Sequence, residues 1–236
     1  MQSNLKSSLS SPEKVFEGDA EATRKLADGL IMSGFAMQAM QSSRPASGIE
    51  HQFSHFWDMD GLCYKGKHVS HGFKVGIGTL VSTACLEFLL RLPMNELDIE
   101  TAVNMWPTWD KMEKTIRTLM AKRPVHMERA IEQSREKYVT KEQLYTQLLK
   151  FLCKWEDVRK VIEKQILPFN EVKECLKAVH APYEPAMIGV SKERLIETFR
   201  CIPYMRSRIS SVDLILRVGA FEECEKFIFS GKQYFK

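Results

Sequence analysis

Apolar residues recur along most of this chain at the three-and-four spacing of helices, and strict alternation of the kind a strand needs is missing. Ala20 to Met40 carries Leu26, Leu30 and Met37 on one stripe, with Ile31 widening it. The spacing predicts further helices over Glu50–Asp58, Val75–Leu92, Trp109–Met120, His126–Tyr138, Trp155–Ile166, Asn170–His180, Ser207–Val218 and Phe221–Ser230. Thr140 and Gln143 have the separation of a capping box and open a helix that ends near Lys154; Ser191 precedes another through Arg194–Arg200. Pro107 and Pro124 read as breaks, 41–48 (QSSRPASG) and 61–70 as loops, and Ala181-Pro182-Tyr183 as a turn. The stretch from Val75 is apolar on all sides, with Gly76 and Gly78 permitting close backbone approach, so it is expected to be the central buried helix. The expectation is an all-α fold of about ten helices, with residues 1–18 a polar leader or stub and 19–236 one helical domain.

Composition narrows the classes. The chain has 236 residues, 44% hydrophobic and 27% charged, as ordinary globular proteins do. It holds only 12 glycines and contains neither G-x-G-x-x-G nor G-x-x-x-x-G-K-[ST], so no nucleotide-binding loop is recognisable. Its net charge of +4 divides into −2 for residues 1–120 and +6 for 121–236. The basic residues mostly alternate with acidic ones, which argues against a nucleic-acid surface. The six cysteines form no C-x-x-C pair and there is no signal peptide, so a reducing cytoplasm is expected. The uncharged apolar run Val75 to Leu86 is shorter than the roughly 20 residues of a bilayer span, so no membrane span is expected.

Four of the six histidines fall between positions 51 and 71: His51, His55, His68 and His71. His51 and His55 lie four apart in an expected helix and share a face, the spacing by which two imidazoles reach one divalent metal. Gln52, Phe53 and Ser54 stand between them, so the metalloprotease base is absent. His71 opens the glycine-bearing helix and could supply a ligand from a second element. Glu50, adjacent to His51, is expected to point away from it, whereas Asp58, one turn past His55, could orient that ring. The same cluster can equally be read as hydrogen-bonded histidines near a surface.

Three stretches carry a family resemblance: Ser33-Gly34-Phe35-Ala36-Met37, the run 43–55 (SRPASGIEHQFSH), and His71-Gly72 through Val75-Gly76-Ile77-Gly78-Thr79. Together they resemble sn-glycerol-1-phosphate dehydrogenases, within the iron-containing alcohol dehydrogenase and dehydroquinate synthase superfamily. Ala181-Pro182, Ile188-Gly189-Val190-Ser191, Arg206-Ser207-Arg208 and Val212-Asp213-Leu214 resemble the family's C-terminal portion, so the likeness spans roughly residues 15–220. Phe73 departs from the glutamate that many superfamily members carry after His-Gly, which counts against a dehydroquinate synthase.

The resemblance implies the helical, metal-binding C-terminal half of a two-domain enzyme that interconverts dihydroxyacetone phosphate and sn-glycerol 1-phosphate by metal-assisted hydride transfer. It implies His51 and His71 as metal ligands and His55 as the catalytic histidine. The third ligand, an aspartate, and the NAD(P) site belong to an N-terminal α/β domain that is missing here, so this chain alone should be inactive. Zinc is the expected metal, with nickel or iron(II) as alternatives. Arg44, Ser43 and Ser47 would bind the substrate phosphate, with Arg206 or Arg208 as contributors, although Arg44 could equally brace its loop. The partners so implied are a small phosphate substrate and the missing domain, with a homodimer left open. The competing reading is a non-catalytic, degenerate helical module with an interaction role.

Overall fold

In the computed structural model, which describes residues 5–231 and 233–235, the fold is all-α, as the apolar spacing predicts. By their internal contacts the described residues group into two compact units, 5–84 with 162–190, and 85–161 with 191–231 and 233–235.

In the first unit, Leu5–Ser8 (α1) and Pro12–Phe16 (α2) are short helices within the stretch read as a leader, whose residues 1–4 lie outside the described ones. Both pack on α3, Ala20–Ala39, and α2 also meets α11, Phe169–Ala178. Asp19 caps α3 by accepting from the Ala22 amide at 2.8 Å. Helix α4, Ile49–Met59, buries Phe53, Phe56 and Trp57 completely, and these rings anchor it in the core. The expected loop after it contains a small antiparallel hairpin, Cys63–Tyr64 (β1) paired with Lys67–His68 (β2). Its two-residue turn puts Lys65 (φ 50°) and Gly66 (φ 76°) in the left-handed region, which matches the strand twist. A two-residue strand is too short for alternation to reveal.

The helix expected from Val75 begins earlier, as α5, His71–Arg91. Ile77, Leu80, Val81 and Ala84 are wholly buried, while Phe73 stays exposed. The helix is long and apolar enough to cross a membrane, yet 56% of its apolar window is buried inside the protein, as in a core helix.

In the second unit, the reciprocal Thr140–Gln143 cap opens α9, Lys141–Leu152, and Ser191 accepts from the Arg194 amide at the start of α12, Lys192–Cys201. Pro124 does not break the chain but starts α8, Pro124–Lys137, where its missing N–H costs nothing. Helix α13 begins at Ser211, four residues later than expected, because Ser210 and Asp213 form a reciprocal cap. The sequence reading omitted α6, Ile99–Met105, a seven-residue helix capped by Asp98. Residues Trp109–Leu119 form α7, Trp155–Gln165 α10 and Phe221–Phe229 α14. Phe199 on α12 stacks on Phe221 at 5.0 Å and meets Phe229 edge-on at 5.4 Å, tying α14 to the core.

Candidate metal centre

The first unit brings three of the clustered histidines together. His51 and His55 project from α4, and His71 is the first residue of α5. The His51 and His71 ring centroids are 5.3 Å apart, and those of His55 and His71 are 6.2 Å apart. His68, on β2, has the Cys63 sulfur 3.4 Å from its Nδ1.

Glycine brings the two helices this close. A Cβ at Gly78 would stand 2.6 Å from the Glu50 carbonyl oxygen and 2.9 Å from the Glu50 Cα, so any side chain there would push against the α4 backbone beside His51. The close approach expected for the Gly76/Gly78 pair is therefore made at Gly78. At Gly76 a Cβ would meet Leu176 at an ordinary 3.5 Å.

Each of two rings has its Nδ1 held. Glu50, expected to point away from His51, folds back over the start of α4. Its Oε1 accepts from the Gly48 amide at 2.6 Å and lies 2.8 Å from His51 Nδ1. The first-turn amides draw the carboxylate inward, and that bend carries it onto its neighbour's ring. An ionised carboxylate only accepts, so His51 Nδ1–H donates and Nε2 is left with its lone pair. Ser54, buried one turn after Glu50 on α4, has its hydroxyl 2.8 Å from His71 Nδ1. The same hydroxyl donates to Asp58 Oδ2 at 3.3 Å, and Asp58 Oδ1 is ion-paired with the buried ammonium of Lys74, one turn along α5 from His71.

The Nε2 atoms of His51 and, where Ser54 accepts, His71 are then the available donors. Two imidazoles sharing one ion through bonds of about 2.0–2.1 Å at a tetrahedral angle place their centroids about 5 Å apart, close to the 5.3 Å observed. Among the described residues no three His, Cys, Asp or Glu side chains gather closely enough to hold a metal by themselves. A catalytic divalent ion commonly takes three protein ligands, one more than this pair supplies.

Of the residues expected to bind phosphate, Arg44 lies exposed in a 3-10 turn, Arg44–Ala46, with Ser43 and Ser47 flanking it. This turn leads through Gly48 directly into α4. Sequence reasoning passed over Ser54 and Lys74. Lys74 had a signal, since it is a cation at the head of an otherwise uncharged helical run.

A helical unit presenting paired imidazoles from two helices is a candidate metal-binding portion of an enzyme. Comparison with known proteins gives the class a name. Over 126 residues the chain is 31% identical to a glycerol-1-phosphate dehydrogenase [NAD(P)+] of Geobacillus stearothermophilus, covering 52% of this chain and 31% of that protein. It is 48% identical over 64 residues to the protein of the same name in Pyrococcus furiosus, covering 27% and 17% respectively, and 45% identical over 64 residues to that of Halalkalibacterium halodurans, covering 27% and 16%. The chain is thus a homologue of glycerol-1-phosphate dehydrogenases over these stretches, which span about a third or less of the relatives' length. No family model and no solved structure matches the chain.

Proposed function

We propose that this chain is the metal-binding helical portion of an NAD(P)-dependent sn-glycerol-1-phosphate dehydrogenase, acting in the cytoplasm on dihydroxyacetone phosphate and sn-glycerol 1-phosphate. The observation that carries this reading is the pair of Nδ1-anchored imidazoles, His51 and His71, 5.3 Å apart in a chain homologous to such enzymes.

His51 and His71 fit a divalent ion through Nε2, zinc first and nickel or iron(II) as alternatives. Such an ion, when bound with its third ligand, would polarise the substrate carbonyl as a Lewis acid. Glu50 and Ser54 keep the two rings from rotating away. Exposed His55, beside His71, would exchange a proton with the substrate oxygen as carbonyl and alcohol interconvert. Arg44, with Ser43 and Ser47, offers positive charge and hydroxyl donors to the phosphate at the entrance to α4. No residue of this chain is assigned to NAD(P), which we place with an α/β domain outside it.

Zinc titration of the purified chain by calorimetry tests the reading. The expected result is weak binding that His51→Ala and His71→Ala each abolish, with no oxidation of NADH by dihydroxyacetone phosphate. Unchanged affinity in both variants would remove the site assignment.

One observation favours the competing reading, a non-catalytic module that binds a partner. Leu30, Ile31 and Phe35 leave an apolar face on α3 exposed, each with more than half its surface open. Zinc affinity insensitive to both histidines, together with a defined binding partner lost on Leu30→Lys, would favour that reading.

A further inference from the structure

We propose that Ser54, Asp58 and Lys74 form a directed hydrogen-bond chain that holds His71 as its Nδ1–H tautomer, so that Nε2 is the nitrogen presented. They are positioning residues. The proposal rests on reading His71 as a metal ligand, and it adds how that ligand is kept in the form that can bind.

The direction follows from what each group can do. Lys74 is an ammonium with donors only, and its side chain is 5% exposed, so it needs an anionic partner close by. Asp58, its own side chain half exposed, supplies that partner through Oδ1, and a carboxylate has acceptors only. Ser54 owns one proton. With its Oγ 3.3 Å from Asp58 Oδ2, that proton goes to the carboxylate. Only lone pairs then remain on the hydroxyl to face His71 Nδ1 at 2.8 Å, so the ring nitrogen must be the donor. A neutral imidazole carrying its proton on Nδ1 has its lone pair on Nε2.

The parts are spaced for this task. Ser54 and Asp58 are one turn apart on α4, and His71 and Lys74 one turn apart on α5, so the chain crosses between the two helices twice. His51 reaches the same outcome by a shorter route, its Nδ1 proton held by the carboxylate of Glu50. What the ammonium adds is a donor held on Asp58 Oδ1, which leaves Oδ2 to the Ser54 hydroxyl and so gives that hydroxyl its sense.

The test is spectroscopic and uses the metal-free chain. Long-range proton–nitrogen spectra of the 15N-labelled protein, taken above about pH 8 where an imidazole is neutral, report which ring nitrogen of His71 carries the proton; His71→Ala assigns the signals. The expected wild-type pattern is a protonated Nδ1 and a bare Nε2. In Asp58→Asn, Lys74 takes the amide oxygen and leaves the NH2 facing Ser54. The hydroxyl then turns to donate to His71, the two nitrogen signals exchange character, and zinc affinity falls about 10- to 100-fold.

A wild-type His71 protonated on Nε2, or an Asp58→Asn spectrum unchanged from wild type, overturns the proposal. The wild-type spectrum needs no variant to fold, and Ser54→Ala, which removes the acceptor and should leave a mixture of tautomers, gives a second route. If the tautomer reverses as expected but neither protein binds zinc, the hydrogen-bond chain stands and the metal reading falls. If wild type binds zinc with His71 protonated on Nε2, the metal reading stands and the chain falls.

Discussion

Gly76 and Gly78 face different neighbours two residues apart on one helix, and alanine at each should act in opposite directions. In a helix interior, replacing glycine by alanine is worth about 1 kcal/mol through reduced backbone freedom in the unfolded chain. At Gly76 nothing offsets that gain, because the new Cβ would sit 3.5 Å from a Leu176 methyl, an ordinary contact. Gly76→Ala should stabilise, raising the melting temperature by about 2–4 °C for a chain of this size. At Gly78 the new Cβ would lie 2.6 Å from the Glu50 carbonyl oxygen, so the start of α4 must retreat by about 0.8 Å to reach the 3.4 Å of an ordinary contact. Overpacking of this kind costs about 1–3 kcal/mol, which cancels the helix gain or exceeds it. The larger effect should fall on the site. Metal–ligand distances tolerate only about 0.2 Å, so moving Glu50 and His51 by several times that should weaken zinc binding about tenfold or more. Calorimetric zinc titration alongside thermal denaturation separates the two effects. Should Gly78→Ala bind zinc like wild type, or should both variants shift the melting temperature upward equally, the close approach of α4 to α5 would not be what sets the site.

Two further predictions concern the second unit. Lys137 bonds to the Pro203 carbonyl and lies 2.5 Å from Asp213, with side chains 11% and 6% exposed, so Lys137→Ala strands a buried carboxylate and should cost about 3–5 kcal/mol in urea unfolding. Arg117→Ala, at an exposed pair, should cost under about 1 kcal/mol, and equal losses would refute the burial argument. Burial raises the Tyr204 phenol to about 12, and burial with the nearby Glu87 carboxylate also raises Tyr234. A folded pKa above the unfolded value means this stability is complete below about pH 10 and is lost as pH rises through about 12. The tyrosinate absorbance should therefore show a late alkaline step, smaller in Tyr204→Phe, and a titration without that step would contradict the burial of this ring.

Much of the fold is legible because its signals are local. The Thr140–Gln143 cap, the Ser191 cap and the apolar run of α5 are written in neighbouring residues, and each appears where expected. The misses are local too. Helix α6 has seven residues, too few for an apolar period, and the 63–68 hairpin has two-residue strands. At the site, the i, i+4 pair and His71 are readable as types and spacings, but the second partners of the rings are not. Glu50 was expected to point away because adjacent residues on a regular helix face apart. It is in the first turn, where unsatisfied amides draw a carboxylate back over the helix end. Ser54 looks like filler between two histidines until α5 crosses over it, 17 residues later in sequence.

That crossing is where fold and site depend on each other. Glu50 accepts from Gly48 and from His51, while its backbone lies against the Gly78 position. Ser54 joins α4 to His71, and Asp58 joins α4 to Lys74. The distance between the two candidate ligands is therefore set by contacts that exist without any ion: one backbone approach and two polar links between the same helices. A site built this way needs little rearrangement to take up metal, so most of the binding energy of a third ligand would go into affinity and not into ordering the first two. It also concentrates risk, since a change at Gly78, Ser54 or Asp58 alters the ligand geometry without touching a histidine.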